Sequence, residues 1–342
     1  MCQDDAVQMF PPFSHIYVER QAMESPQTAR ILEHFPAGTV VPVRHYKDLF
    51  NRGRQRPELQ RQSPSLVLAR KTGTLLYPGA PVCQSFGNEH FYYTSLAMNC
   101  LFDCDYCFLK GMYPSGHMVV FVNLEDYGRE LETLLAEHPV YLCVSYDTDL
   151  CAIESWTGYV EAFHALIGNH PGLTVEVRTK AACTGLLRRL EPEPGMIFAF
   201  TLSPQVVIDA CEHRTPSLRQ RLETVRTGLQ AGHRIRLCFD PMLLIPDWET
   251  AYAEMLDCIL EILGPDGLRR VQDVSIGSFR IAAGYLKPLR HQAPESAVIQ
   301  YPFCVENGYA QYPDAVREGM ETRMMSMLAP YLVPEQIFRW KE

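Results

Sequence analysis

Asn99-Cys-Leu-Phe-Asp-Cys-Asp-Tyr-Cys-Phe108 places three cysteines, Cys100, Cys104 and Cys107, in the spacing C-x3-C-x2-C. Three thiolates this close can wrap one metal centre, yet they are one ligand short of a closed site. Iron–sulfur clusters are held by cysteine thiolates at short spacings of this kind. A four-iron cube with three protein ligands leaves one iron open to bind a small molecule. A structural zinc site would want a fourth protein ligand at a similar spacing. The next cysteine, Cys143, is far downstream, and His117 follows Cys107 only after a long gap. The zinc reading therefore needs a remote ligand.

Around this stretch the chain alternates strands with helices, the rhythm of an α/β fold with parallel strands. Strands are expected at 94–98, 140–145, 173–178, 196–202, 234–239 and 271–279. Helices are expected at 124–137, 156–167, 184–190, from Ser217 to about Gln230 and from Asp247 to Leu263. The run 118–123 reads as an extra short strand. Six βα repeats with right-handed crossovers predict a partial (β/α)6 barrel. Reactive groups in such barrels follow the carboxyl ends of the strands. That rule gathers Cys100–Cys107, Tyr146–Asp149, Lys180, Ser203, Asp240 and Arg280 at one mouth.

Three parts are expected: an N-terminal accessory segment over 1–89, the barrel over 90–284 and a C-terminal cap over 285–342. The first holds a strand over 14–19, a helix over 25–35 and an apparent strand pair, 65–69 with 74–77. It also carries the most basic run, Asn51-Arg-Gly-Arg-Gln-Arg56 with Arg61, which is either a solvated loop or a phosphate-backbone contact. The third holds a Tyr/Pro-rich loop and a helix near 317–328.

Composition restricts the setting. With 47% hydrophobic and 21% charged residues the chain reads as an ordinary globular protein. No apolar run approaches the roughly 18 residues of a membrane span, and the start has no secretion-signal pattern. The twelve cysteines are mostly scattered singly, which argues against a disulfide scaffold and for a reducing cytoplasm. A formal net charge of −9 gives nucleic-acid binding no support from the chain as a whole. Phosphate-cradling glycine spacings and the Gly-x-Ser-x-Gly and His-Glu-x-x-His hydrolase motifs are absent from the sequence. His90 and His117 flank the cysteine loop and read as structural. Glu212 and His213 form a candidate acid–base pair, although adjacent residues usually face apart and such a loop pair reads as surface.

The cysteine spacing, with Tyr106 before its last cysteine and Phe108 after it, resembles the signature of radical S-adenosylmethionine (SAM) enzymes. Over nearly its whole length the chain also resembles the spore photoproduct lyase family. Tyr17-Val-Glu19, the segment 118–123, Tyr146-Asp-Thr-Asp-Leu150 and Glu212-His-Arg-Thr-Pro-Ser217 with Arg221-Leu222 carry that likeness. The resemblance implies a [4Fe–4S] cluster on Cys100, Cys104 and Cys107, with SAM on its open iron. Reductive cleavage of SAM would yield a 5′-deoxyadenosyl radical for hydrogen abstraction, and the family splits a thymine dimer in spore DNA.

It further implies that Tyr106 lies near the adenine and Thr148 near the methionine group, that Lys180 meets the SAM carboxylate, and that Thr201 or Ser203 lies near the ribose. A flavodoxin or ferredoxin as electron donor, DNA as partner and a monomeric, cytoplasmic state also follow as expectations. Departures fall on the substrate side. The family's hydrogen-donating cysteine aligns with Tyr146, whose O–H could take the role. Cys143, three residues earlier, is expected on the opposite face of a regular strand. Phe108 replaces a tyrosine associated with radical return. Val305-Glu-Asn-Gly-Tyr309 stands where the family has an Arg-Tyr-Gly-type loop. Two other readings remain: the same radical chemistry on a different substrate, or a metal-binding protein without turnover.

Overall fold

The computed structural model describes residues 13–79 and 83–340. Cys2 and the opening residues lie outside them. Two sheets carry the fold. The larger has eight strands, and seven run parallel: β1 (Phe91–Thr94), β2 (Val140–Cys143), β3 (Leu173–Thr179), β4 (Met196–Thr201), β5 (Arg234–Met242), β6 (Asp273–Ser278) and β7 (Ile337–Arg339), in that spatial order. Leu76–Pro78 closes the far edge, antiparallel to β1. The two edges do not pair, so among the described residues the sheet is open rather than a closed barrel.

Helices cover this sheet as βα crossovers require. They are α1 (Leu124–Leu135), α2 (Leu150–Thr157), α3 (Tyr159–Asn169), α4 (Thr184–Arg189), α5 (Leu218–Ala231), α6 (Trp248–Arg269) and α7 (Asp314–Leu328). Central strands read as unbroken apolar runs because both their faces are covered, and every residue of β4 is buried. Local signals fix the helix ends. The Ser217 hydroxyl accepts from the Gln220 N–H while Gln220 reaches back to the Ser217 N–H, and Gly232 ends α5 at φ 92°. Gly264, at φ 70°, breaks α6 where the sequence reading ends that helix at Leu263.

The second sheet has five strands in the order Thr39–Val43, His15–Glu19, Leu66–Ala69, Met118–Phe121 and Ala97–Met98, the last antiparallel. Three corrections follow. The strand expected over 94–98 is divided: Phe91–Thr94 belongs to the main sheet, and Ala97–Met98 bonds to Met118–Phe121 in the second. Leu66–Ala69 and Leu76–Pro78 are not a pair but lie in different sheets. The single helix expected over 156–167 is two, because Gly158 turns left-handed (φ 67°) between α2 and α3. The side chain of Glu154 caps the new start, accepting from the N–H groups of Val160 at 2.7 Å and Glu161 at 3.0 Å.

No helix among the described residues is long and apolar enough to cross a membrane.

Candidate active site

The loop between the two sheets carries the cysteines. Asn99 enters it with positive φ (68°), a backbone state asparagine tolerates better than most residues. Its side-chain amide ties the loop down by donating to the Ser115 carbonyl at 2.8 Å and the His117 carbonyl at 2.7 Å. Cys107 then caps the short helix Phe108–Met112. Gly111 in that helix lies against the backbone of Tyr285, where a Cβ would collide with the Tyr285 carbonyl oxygen.

Cys100, Cys104 and Cys107 line one cavity of about 460 Å³, within the usual size of a small-molecule site. Tyr106, Cys143, Tyr146, Thr148, Lys180 and Thr201 line the same cavity. Groups after the ends of six successive strands thus meet at one mouth, as the strand-end rule requires. Ser203 is the exception among the expected residues: it is buried, and its hydroxyl donates to Glu212 at 2.7 Å. Cys143 is a second departure from a regular-strand argument. β2 stops at Cys143, so alternation does not continue into the loop, and Cys143, Ser145 and Tyr146 all reach the cavity.

Glu212, which read as a surface residue, is the hub of the cofactor side. It is 1% exposed, whereas the neighbouring His213 faces out to Asp105 at 3.1 Å. Glu212 and His213 pair antiparallel with Cys104 and Asp103, so this loop is stapled to the cysteine loop by backbone hydrogen bonds. The Glu212 carboxylate accepts from the Tyr106 hydroxyl, from Ser203 and, at 2.5 Å, from Arg221. Arg221 is itself fully buried and also donates to the Thr201 carbonyl at 3.1 Å.

Lys180 Nζ stands 3.9 Å from Glu212 Oε1 and 4.0 Å from Cys104 Sγ, over the Tyr106 ring. Burial alone would raise the Glu212 pKa, but Lys180, Arg221 and the two hydroxyls outweigh it and hold the carboxyl at about 2. Burial likewise works against the Lys180 ammonium, and Cys104 and Glu212 more than offset it. Burial is the largest influence on Cys104 and pushes its thiol up to about 12 despite Lys180 nearby.

The loop after β2 supplies the neighbouring wall. Asp149 caps α2, accepts from Thr179 Oγ1 and from the Lys180 N–H, both at 2.7 Å, and so locks the β2 loop to the end of β3. The Ser145 and Thr148 hydroxyls are more than nine-tenths buried and have no hydrogen-bond partner among the described residues. Such groups carry a desolvation cost that a bound ligand relieves. Tyr146 packs its ring on Tyr93 at 4.2 Å and Phe108 at 5.5 Å.

Beneath the mouth, Arg236 bridges Glu176 at 2.5 Å and Asp273, where Nη2 to Oδ2 is 2.8 Å. Arg280 pairs with Asp240 at 3.1 Å. The C-terminal segment adds Tyr285 and Tyr309 to the lining. Tyr309 follows a hairpin turn in which Asn307 and Gly308 both take positive φ, the combination that a type I′ turn needs. The basic run is not simply solvated: Arg61 is largely buried against the cysteine loop, 3.4 Å from Asp103. His117 accepts from the Ser65 N–H at 3.1 Å, a structural contact, and His90 stacks on His138.

A largely parallel α/β sheet with three clustered cysteines on the loop after its first strand is the arrangement of a radical SAM protein. The spore photoproduct lyase family model matches residues 10–276, and the chain belongs to that family. Spore photoproduct lyases of Clostridium acetobutylicum and of a Geobacillus species are each 24% identical, over 51% and 48% of this chain. The chain spans about half the length of these relatives, 53% and 49%. A solved spore photoproduct lyase complexed with dinucleoside spore photoproduct superposes with a TM-score of 0.82 at 18% identity, covering 97% of this chain and 99% of that one. A mutant spore photoproduct lyase with bound AdoMet and dinucleoside spore photoproduct gives 0.81 at 19% identity, over 97% and 99%. These likenesses establish the fold.

Proposed function

We propose that this chain is a radical SAM enzyme, a partial (β/α)6 barrel in plan, that binds a [4Fe–4S] cluster on Cys100, Cys104 and Cys107 and repairs spore photoproduct in DNA. The convergence of the three thiols, the Lys180 cation and the unpartnered Ser145 and Thr148 hydroxyls on one cavity is the observation that carries the reading.

The residues fit the cofactors. Among the described residues no three His, Cys, Asp or Glu side chains are gathered tightly enough to hold a single metal ion. Three thiols on one loop, all lining one cavity, suit three corners of an iron–sulfur cube. The Cys104 thiol, which burial keeps protonated, would ionise beside such a cationic centre. When bound, the cluster and SAM supply a reductively generated 5′-deoxyadenosyl radical for hydrogen abstraction.

The chain's own part is to hold and aim. Lys180, kept charged by Glu212, meets the SAM carboxylate through a charge-assisted contact. Thr148 offers its free hydroxyl to the methionine group. Tyr106 flanks the adenine and Thr201 borders the ribose, while Ser203 stands behind the lining and holds Glu212. Tyr146 and Cys143 face the reacting part of the substrate and are candidates to donate hydrogen. Arg52 and Arg54, beside the anchored Arg61, offer charge to a DNA backbone. A flavodoxin or ferredoxin would supply the electron to a monomeric, cytoplasmic enzyme.

A second reading keeps this chemistry but changes the substrate. Tyr146 and Phe108 favour it, because both differ from the family pattern and touch one another at the cavity wall. One experiment decides between the two. After anaerobic reconstitution, SAM, a reductant and dinucleoside spore photoproduct are supplied together. Formation of 5′-deoxyadenosine with thymine recovery is the expected result. SAM cleavage without thymine recovery would leave the second reading, and failure to bind iron and sulfide would end both.

A further inference from the structure

We propose that Cys83 donates the hydrogen atom that quenches the product radical in this chain, from a different loop than the family's cysteine. The inference rests on the repair reading above. Cys83 precedes β1 in sequence and lines the cavity together with Tyr146 and Cys143. Cys83 has Tyr146, Cys143 and Tyr93 among its neighbours. The thiol therefore sits where the aligned tyrosine wall and the end of β2 meet.

Three observations favour Cys83 over its neighbours. Cys83 is partly exposed, whereas Cys143, in the same lining, is buried. Tyr146 is held by ring packing between Tyr93 and Phe108, a role that needs its ring rather than its hydroxyl. The Ser145 hydroxyl, more than nine-tenths buried and adjacent to Tyr146 in sequence, has no partner among the described residues and marks this wall as one that a ligand completes. Burial, the largest influence, pushes the Cys83 thiol up to about 11, so at neutral pH the group carries the hydrogen it must give.

The step balances simply. A carbon-centred product radical takes the hydrogen atom of Cys83, so a C–H bond forms, the S–H bond breaks and a thiyl radical remains on sulfur. One electron from the low-potential donor that also serves the cluster, and one proton from water, restore the thiol.

The test uses the reconstituted full chain, wild type and Cys83→Ser, with dinucleoside spore photoproduct. Serine keeps the size and the hydrogen-bonding capacity but has a much stronger bond to hydrogen. Expected is 5′-deoxyadenosine formation within about twofold of wild type, with thymine recovery down at least tenfold and other products in its place. A second measurement needs no turnover: carbamidomethylation of Cys83 by iodoacetamide, read by peptide mass spectrometry, should slow when the dinucleoside photoproduct is present with SAM. Wild-type thymine recovery by Cys83→Ser, or labelling of Cys83 that the photoproduct leaves unchanged, would overturn the inference while the repair reading stands. Absence of thymine recovery by the wild type, with SAM cleavage intact, would instead overturn the repair reading and this inference with it.

Discussion

On one side of the cavity, Tyr106, Ser203, Arg221 and Lys180 converge on the single carboxylate of Glu212, and every charge has a partner within the chain. On another, Cys83, Cys143 and Tyr146 line the cavity beside the Ser145 hydroxyl, which has no partner among the described residues. The first wall is a closed electrostatic unit in which loss of Glu212 strands the buried charges of Arg221 and Lys180. The second is built from aromatic packing and neutral thiols, and its members can be exchanged at little cost to the fold. The departures expected from the sequence, at Tyr146, Phe108 and the Val305–Tyr309 loop, all lie outside the first wall.

The sharpest way to break the cofactor wall is Cys104→Ala. It should eliminate cluster binding and SAM cleavage together, read as iron and sulfide content and 5′-deoxyadenosine. Unchanged iron content would refute the assignment. Next in size is Glu212→Ala, which leaves Arg221 and Lys180 buried without their counter-charge. Removing one partner of a buried pair costs about 3–5 kcal/mol, and urea unfolding of the cluster-free protein should show a loss on that scale. A change below about 1 kcal/mol would mean that water reaches the pair.

Glu154 provides a buried carboxylate without that cation pair. Burial is the largest influence on it, Arg30 the smallest of its neighbours, and its pKa is raised from 4.5 to about 7. Because the folded value lies above the unfolded one, its contribution to stability is complete below about pH 4.5 and declines as pH rises through about 7. At neutral pH it costs on the order of a few kcal/mol. Glu154→Gln should flatten the stability profile between those limits, whereas an unchanged slope would mean that the group titrates normally. Tyr146→Phe should have the smallest effect. It keeps the ring between Tyr93 and Phe108, so both SAM cleavage and thymine recovery should stay within about threefold of wild type. A loss of thymine recovery as large as that expected for Cys83→Ser would transfer the donor role to the tyrosine.

Much of the main sheet was legible because its central strands are continuous apolar runs separated by periodic helices. Those signals located β2 to β6 and the capped helix α5. β1 was misplaced by a few residues because Ala97–Met98 finds its partner in Met118–Phe121, a pairing that no local pattern encodes. β7 is three residues long, too short to carry an alternation. Glu212 was misread since adjacency to His213 suggests a surface loop. Only its non-local pairing with Cys104 turns the carboxylate inward, although Arg221 nine residues on was a hint of a buried partner. Cys83 lay in a Pro- and Gly-rich stretch with no periodicity, and nothing in the local pattern places it beside Tyr146. Groups fixed by strand-end position were readable, and groups fixed by loop return were not.

One anaerobic reaction of the reconstituted wild-type chain with SAM, a reductant and dinucleoside spore photoproduct puts cluster, cofactor and substrate to the test together. Both 5′-deoxyadenosine and recovered thymine are predicted, and a preparation that holds its cluster yet forms neither product would contradict the proposed function.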